Sequence, residues 1–159
     1  FVKKNDEFSV NIALIHKNMP ILGVVYAPAL DVCYWAVKGG GAFKNGQKLP
    51  LKSKEQRKNY KIVVSRSHMS HETQAFIEQI KTNKKKELIS KGSSLKVCLV
   101  AEGEVDIYPR LAPTMEWDTG ASHVIVNESG MKLRGFVDNS YTNFLYNKEN
   151  LLNSEFIVA

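Results

Sequence analysis

From Phe8 through Val10, Ile12 and Leu14, apolar positions alternate with small or polar ones, the period-two pattern of a strand with one buried face. Lys17-Asn18-Met19-Pro20 interrupts that pattern before Ile21-Leu22-Gly23-Val24-Val25-Tyr26-Ala27 resumes it, so the two runs read as a hairpin. Pro28 ends the second run, and Val32-Cys33-Tyr34-Trp35-Ala36-Val37 gives a third strand. Gly39-Gly40-Gly41 and Asn45-Gly46 mark turns, the latter the strongest short hairpin signal in the chain. Three antiparallel strands thus end near residue 50. With no helix to cover a face they make a poor unit, which predicts that something packing on them lies upstream of Phe1.

Residues 52 to 61 are polar and charged and read as a connection. Beyond them strands alternate with helices. Ile62-Val63-Val64-Ser65 is a short strand; Ser70 caps a helix to about Lys81, with Phe76, Ile77 and Ile80 on its apolar side. Glu87-Leu88-Ile89-Ser90 is the next strand, followed by Gly92-Ser93-Ser94 and a helix carrying Leu95, Cys98 and Leu99 that Gly103 closes. Val105-Asp106-Ile107-Tyr108 returns as a strand. Asp118 then caps a helix through about Glu128, closed by Gly130, and further strands are expected near Lys132 and Leu145. The division is residues 1–59, antiparallel strands of an α+β unit, and residues 60–159, an α/β unit whose ligands are expected at the carboxyl ends of its strands.

Composition narrows the picture only slightly. The chain has 159 residues, 43% of them hydrophobic, which suits a folded globular protein. No apolar run is long enough to span a bilayer, and the start does not resemble a signal peptide. Cys33 and Cys98 are isolated, lack metal-ligand spacing and sit in apolar stretches where free cysteines are usually buried, so a reducing cytoplasm fits best. The net charge of +6, from 22 basic and 16 acidic residues, raises a nucleic-acid reading. Much of the excess, however, lies in Lys81-Thr82-Asn83-Lys84-Lys85-Lys86, a run without interleaved aromatics that reads as a solvated loop.

The residues that can carry chemistry fall at the ends of elements. Asp118, after Trp117 at the start of a helix, either caps backbone N–H groups or faces a hard cation. Gly92-Ser93-Ser94 puts small residues where a helix starts and anions are attracted, and Lys96 adds a full charge one turn in. The plain alternative there is a serine cap with a solvent-facing lysine. Arg110, beside Pro109 at a strand end, either holds a phosphate bidentately or is a surface arginine. In Ser65-Arg66-Ser67-His68 a nucleophilic triad lacks its usual elbow motif, and His68 is better read as contacting a ligand. His16, His71 and His123 show no zinc-type spacing, and His123 reads as structural.

Together these segments resemble the 3'(2'),5'-bisphosphate nucleotidases of the inositol monophosphatase superfamily, the bacterial CysQ type above all. The likeness runs from Phe1-Val2-Lys3-Lys4-Asn5-Asp6-Glu7-Phe8 through Gly23 to Pro28, Ser65 to His68, Gly92 to Lys96, Ala101-Glu102-Gly103, Tyr108-Pro109-Arg110 and Trp117-Asp118-Thr119 to Asn147 to Asn153. Trp117-Asp118 marks the superfamily; Gly92 to Lys96 with Tyr108 to Arg110 points to the nucleotidase branch. The resemblance implies an inositol-monophosphatase-like sugar-phosphatase fold, α/β and α+β in αβαβα layers, here N-terminally truncated. It implies a magnesium-dependent (Mg2+) phosphomonoesterase that converts adenosine 3',5'-bisphosphate to AMP and phosphate, clearing a by-product of sulfate assimilation. By that resemblance Asp118 is a catalytic metal ligand that also faces substrate. His68, Ser93, Lys96 and Arg110 contact the nucleotide, and Gly92 and Ser94 shape its turn.

The departures matter equally. The acidic pair and the Asp-Pro-x-Asp-Gly-Thr segment that supply most metal ligands in that family do not occur here, and one carboxylate cannot assemble a multi-magnesium site. Ser122 stands where the family usually has glycine, and Glu128-Ser129-Gly130 replaces a small, glycine-rich helix end. The expectation is therefore the C-terminal part of a cytoplasmic nucleotidase with a small-molecule nucleotide bisphosphate as partner, no nucleic acid, no transmembrane segment, and little turnover by itself. Contact with the cytoplasmic face of the inner membrane and oligomeric state stay open. The alternatives are an inositol or fructose phosphate phosphatase of the same superfamily and a non-catalytic nucleotide-binding fragment.

Overall fold

A computed structural model describes residues 6–53, 57–66 and 69–159. The first hairpin forms as its pattern predicts: β1 (Val10–His16) pairs antiparallel with β2 (Met19–Ala27), with Lys17 and Asn18 in the left-handed region at the turn. β3 (Val32–Val37), β4 (Gly41–Lys44) and β5 (Gln47–Lys48) follow, and Asn45-Gly46 makes the β4–β5 turn with both residues at positive φ. The result is one antiparallel sheet in the order β1-β2-β3-β4-β5, five strands rather than three.

That sheet is not bare. Val25, Ala27, Tyr34, Ala36 and Ala42 are buried on one face beneath α3 (Glu116–Glu128), a helix from the far part of the chain. The cover of this one face comes from about a hundred residues downstream, a pairing that periodicity along β1 to β3 cannot reveal. The close approach has a visible cause. A Cβ on Gly23 would stand 2.2 Å from the Ala121 carbonyl oxygen and 2.6 Å from Val124 Cγ1, so only glycine lets β2 and α3 meet. The opposite face carries Val10, Ile12, Leu14, Trp35 and Val37, all exposed.

β6 (Asn59–Ser65) and β7 (Lys85–Lys91) pair in parallel across α1 (His71–Gln79), a βαβ unit. Ser70 caps α1 as expected, its hydroxyl accepting from the Thr73 N–H at 3.2 Å. The lysine run departs from the solvated-loop expectation. Lys85 and Lys86 begin β7, and Lys86 Nζ donates to the Ile77 and Glu78 carbonyls at 2.8 and 3.0 Å, closing the end of α1 where carbonyls lack partners.

α2 (Leu95–Ala101) follows, with Gly103 at φ 74 after its end. β8 (Tyr108–Arg110) then lies beside β6 through the parallel Ile62–Ile107 bridge and joins an antiparallel sheet in the order β10-β9-β11-β8. Its other members are β9 (Leu133–Val137), β10 (Ser140–Thr142) and β11 (Phe156–Val158). No strand forms near Leu145. Phe144 and Tyr146 are buried there by aromatic packing against His123 and Phe156, which gives strand-like alternation without a ladder.

One apolar cluster joins residues of the first sheet (Val25, Tyr34, Ala42), α2 (Val97, Cys98), α3 (Val124, Ile125) and the last sheet (Leu133, Phe156). A second, with Ile62, Val64, Ile77, Ile107 and Ile157, sits under α1. Cys98 is buried, whereas Cys33 is only half-buried. Among the described residues no helix is long and apolar enough to cross a membrane.

Candidate functional site

A cleft of about 520 Å³ opens where β6, β7 and β8 end, bounded by the start of α3 and by the segment leading into β1. Six residues expected from sequence line it or its rim together: Gly92, Ser93, Ser94, Lys96, Arg110 and Asp118. They come from three elements 26 residues apart at most, brought together because parallel strands deliver their carboxyl ends to one edge. His68, also expected here, lies outside the described residues, as does Ser67.

The turn after β7 is built by backbone geometry. Ser93 takes φ 54, a left-handed conformation uncommon for a residue with a side chain. Ser94 does not cap α2 with its hydroxyl; it donates instead to the Asp118 carbonyl at 3.1 Å, tying the turn to α3. Lys96 is not the solvent-facing lysine that spacing alone allows. It is 8% exposed, donates to the Ser93 carbonyl at 2.6 Å, and stands 5.5 Å from the Tyr108 ring centroid. Burial, helped by repulsion from Arg110, pushes its ammonium down to about 8, against the pull of Asp118 and Glu7. Arg110 is likewise no surface arginine: it is 9% exposed and donates to the Pro113 carbonyl at 3.0 Å. Two buried cations therefore face one cleft, an arrangement whose electrostatic cost a bound polyanion relieves.

Asp118 corrects the expected helix start. α3 begins two residues earlier, at Glu116, and Asp118 occupies its third position, where its Oδ2 accepts from the Met115 N–H at 2.9 Å. The first turn is fastened from outside as well. Asn153 Nδ2 donates to Met115 O, Thr114 Oγ1 and Thr119 Oγ1 at 2.7 to 3.1 Å, and Tyr146 donates to Thr119 Oγ1 at 3.2 Å. Thus the residue after Asp118 is locked by two side chains from the last 14 residues. His123, expected to be structural, is buried with Nδ1 2.9 Å from the same Tyr146 hydroxyl. Ser122 is buried in α3 and donates to the Thr119 carbonyl, away from the cleft lining.

Several residues in the cleft or directly behind its lining escaped sequence reasoning. Glu7, one position before an apolar residue, accepts from the Gly92 N–H at 2.8 Å and pairs with Arg66 and Lys91 at 3.0 and 3.2 Å. The hydroxyls of Ser9 and Ser93 are in contact, and Asn11, Thr114 and Thr119 line the wall. Nothing in their spacing sets them apart from ordinary strand-edge polar residues.

A metal fits this set poorly. Among the described residues no three His, Cys, Asp or Glu side chains converge, and Asp118 alone offers a cleft carboxylate near the two cations. One such ligand, already engaged with the Met115 N–H, does not make a magnesium site, so no chemical step is routed through a metal here.

The inositol monophosphatase family model matches residues 1–156. The chain is 45% identical over 132 residues to the 3'(2'),5'-bisphosphate nucleotidase CysQ of Salmonella typhimurium, covering 82% of this chain and 52% of that protein. It is 42% identical over 162 residues to the Buchnera aphidicola protein of the same name, covering 59% of it. The crystal structure of CysQ from Bacteroides thetaiotaomicron superposes with a TM-score of 0.90 at 42% identity, over 99% of this chain and 64% of that one. Inositol monophosphatase-II from Staphylococcus aureus, 20% identical with a TM-score of 0.80, shares the fold. The chain thus spans between half and two thirds of the length of these relatives. From its sequence match and its architecture, the chain belongs to the inositol monophosphatase family.

Proposed function

We propose that this chain carries the nucleotide-binding wall of a 3'(2'),5'-bisphosphate nucleotidase, an enzyme that hydrolyses adenosine 3',5'-bisphosphate to AMP and phosphate with magnesium. The observation that carries the reading is the convergence of the Gly92–Lys96 turn, buried Lys96 and buried Arg110 on one cleft. Two cations from different elements suit a ligand with two separated phosphates better than a single small anion. The 42–45% identity to proteins named as that nucleotidase supports the same substrate. Ser93, Lys96, Arg110 and His68 are the proposed nucleotide contacts, Gly92 and Ser94 shape the turn, and Asp118 is the proposed ligand to a metal completed by other carboxylates. A cytoplasmic setting, with no nucleic-acid partner, belongs to the same proposal.

Alone, the chain binds the nucleotide and does not turn it over, because the described residues bring one carboxylate to the cations where the chemistry needs several. The test measures binding of adenosine 3',5'-bisphosphate by calorimetry and phosphate release with magnesium, beside an intact CysQ relative. Binding with release at least about a hundredfold below the relative is the expected result, equivalent to losing about 3 kcal/mol of transition-state stabilisation. Release matching the relative overturns the binding-only state, and absence of binding overturns the nucleotide assignment.

A further inference from the structure

We propose that Glu7 is a positioning residue for the nucleotide-facing turn, acting through Gly92 and Ser93 on Lys96; this rests on the nucleotide-binding reading above. A carboxylate behind the turn of an anion site, close enough to act on Lys96, opposes binding by simple Coulomb repulsion, so its presence calls for a geometric reason. The contacts supply one. Glu7 Oε2 accepts from the Gly92 N–H at 2.8 Å, while Oε1 accepts from Arg66 at 3.0 Å and pairs with Lys91 at 3.2 Å, so one carboxylate gathers the ends of β6 and β7. Burial pushes this carboxyl up, but the bond from Lys91, the Gly92 N–H and the charges of Lys91 and Arg66 outweigh burial and hold it below the usual carboxylate range.

The fit around Gly92 is close. A Cβ there would stand 2.9 Å from Glu7 Oε2 and 3.2 Å from Glu7 Cβ, so the turn is seated directly on the Glu7 side chain. A second tie, the contact between the Ser9 and Ser93 hydroxyls, comes from the same segment before β1. Ser93 holds φ 54, and its carbonyl accepts the Lys96 ammonium at 2.6 Å. Shifting the Gly92 peptide therefore shifts the acceptor that aims Lys96.

Charge and geometry predict opposite signs, which makes the role testable by calorimetry of adenosine 3',5'-bisphosphate binding at fixed salt. Removing the negative charge alone tightens binding of an anion; removing the acceptor that holds Gly92 weakens it. Glu7→Ala is expected to bind about tenfold more weakly, the loss appropriate to one charge-assisted hydrogen bond. Glu7→Gln, which keeps an acceptor for the Gly92 N–H, is expected to bind within about twofold of the parent or tighter. In a Lys96→Ala background the Glu7→Ala loss shrinks below about twofold, because the two residues act as one unit.

If Glu7→Ala does not fold by circular dichroism, Gly92→Ala takes its place, since the added methyl lifts the turn off Glu7; about tenfold weaker binding is again expected. Unchanged or tighter binding in the alanine variant overturns the proposal, as does equal weakening in Glu7→Ala and Glu7→Gln. A parent chain that does not bind the bisphosphate overturns the nucleotide reading and this role with it, whereas binding indifferent to Glu7 and Gly92 overturns only the role.

Discussion

Lys96 shows how much a single side chain's meaning depends on where it is put. In sequence it is a lysine one turn into a short helix, equally suited to solvent. In the fold it is buried beside Arg110, and its ammonium titrates near 8 instead of 10.5. The consequence has two signs. An anion binds the protonated form, so the proposed affinity for adenosine 3',5'-bisphosphate is expected to fall as pH rises through about 8, a region where the phosphates themselves are already fully ionised. Unliganded stability moves the other way, rising between about 8 and 10.5 as the buried ammonium sheds its proton before the unfolded chain does. Calorimetric titrations from neutral to alkaline pH check the first. Lys96→Met is expected to weaken binding about tenfold at neutral pH and to abolish the decline; a decline that persists in the variant excludes Lys96 as its source.

At the scale of elements, α3 organises the molecule. It covers the first sheet with Ala121 and Val124, offers Asp118 to the cleft from its first turn, and reaches the β3–β4 turn at its far end. There Glu128 accepts from the Gly39 and Gly41 N–H groups at 3.0 Å each, which gives a role to a glutamate that departs from a small, glycine-rich helix end. The tightest point is Gly23. Gly23→Ala places a methyl group inside contact distance of the Ala121 carbonyl, and backbone cannot retreat as a flexible side chain can. A loss of about 3 kcal/mol in urea unfolding is expected. A loss below about 0.5 kcal/mol would show that sheet and helix slide apart easily. Most element boundaries were legible because strands and caps leave local marks: the Asn45-Gly46 turn, Ser70 on α1 and Gly103 after α2 all stand where their residue types direct. The start of α3 was not, because Asp118 serves equally as a first cap or as a third-position acceptor, and only the Met115 N–H distinguishes them.

For the molecule as a whole, the polar thread through the core is a source of acid sensitivity. His123, Tyr146, Thr119 and Asn153 link the middle of α3 to the last residues of the chain. Burial, with a smaller push from Lys132, holds His123 down to about 4 against 6.5 in the unfolded chain. Between those values the unfolded state binds a proton that the native state refuses, so stability present above pH 6.5 is lost as pH falls toward 4. The loss approaches about 3 kcal/mol. Urea denaturation at several pH values is expected to show this slope, and His123→Phe to flatten it; an equal slope in the variant would move the cause to the carboxylates.

The sequence by itself determined most of the strands, helices and turns, whose period, caps and glycines are written within a few residues of one another. It also carried the family resemblance and the cleft residues Gly92, Ser93, Ser94, Lys96, Arg110 and Asp118, which the structure gathers at one edge. Only the tertiary structure decided that α3 covers the first sheet, that Lys96 and Arg110 are buried, and that Glu7 seats the Gly92 turn. The physical reason is range. Periodicity and capping report on neighbours along the chain, whereas burial, close packing at Gly23 and the 85-residue reach from Glu7 to Gly92 arise from contacts between elements that share no local signal.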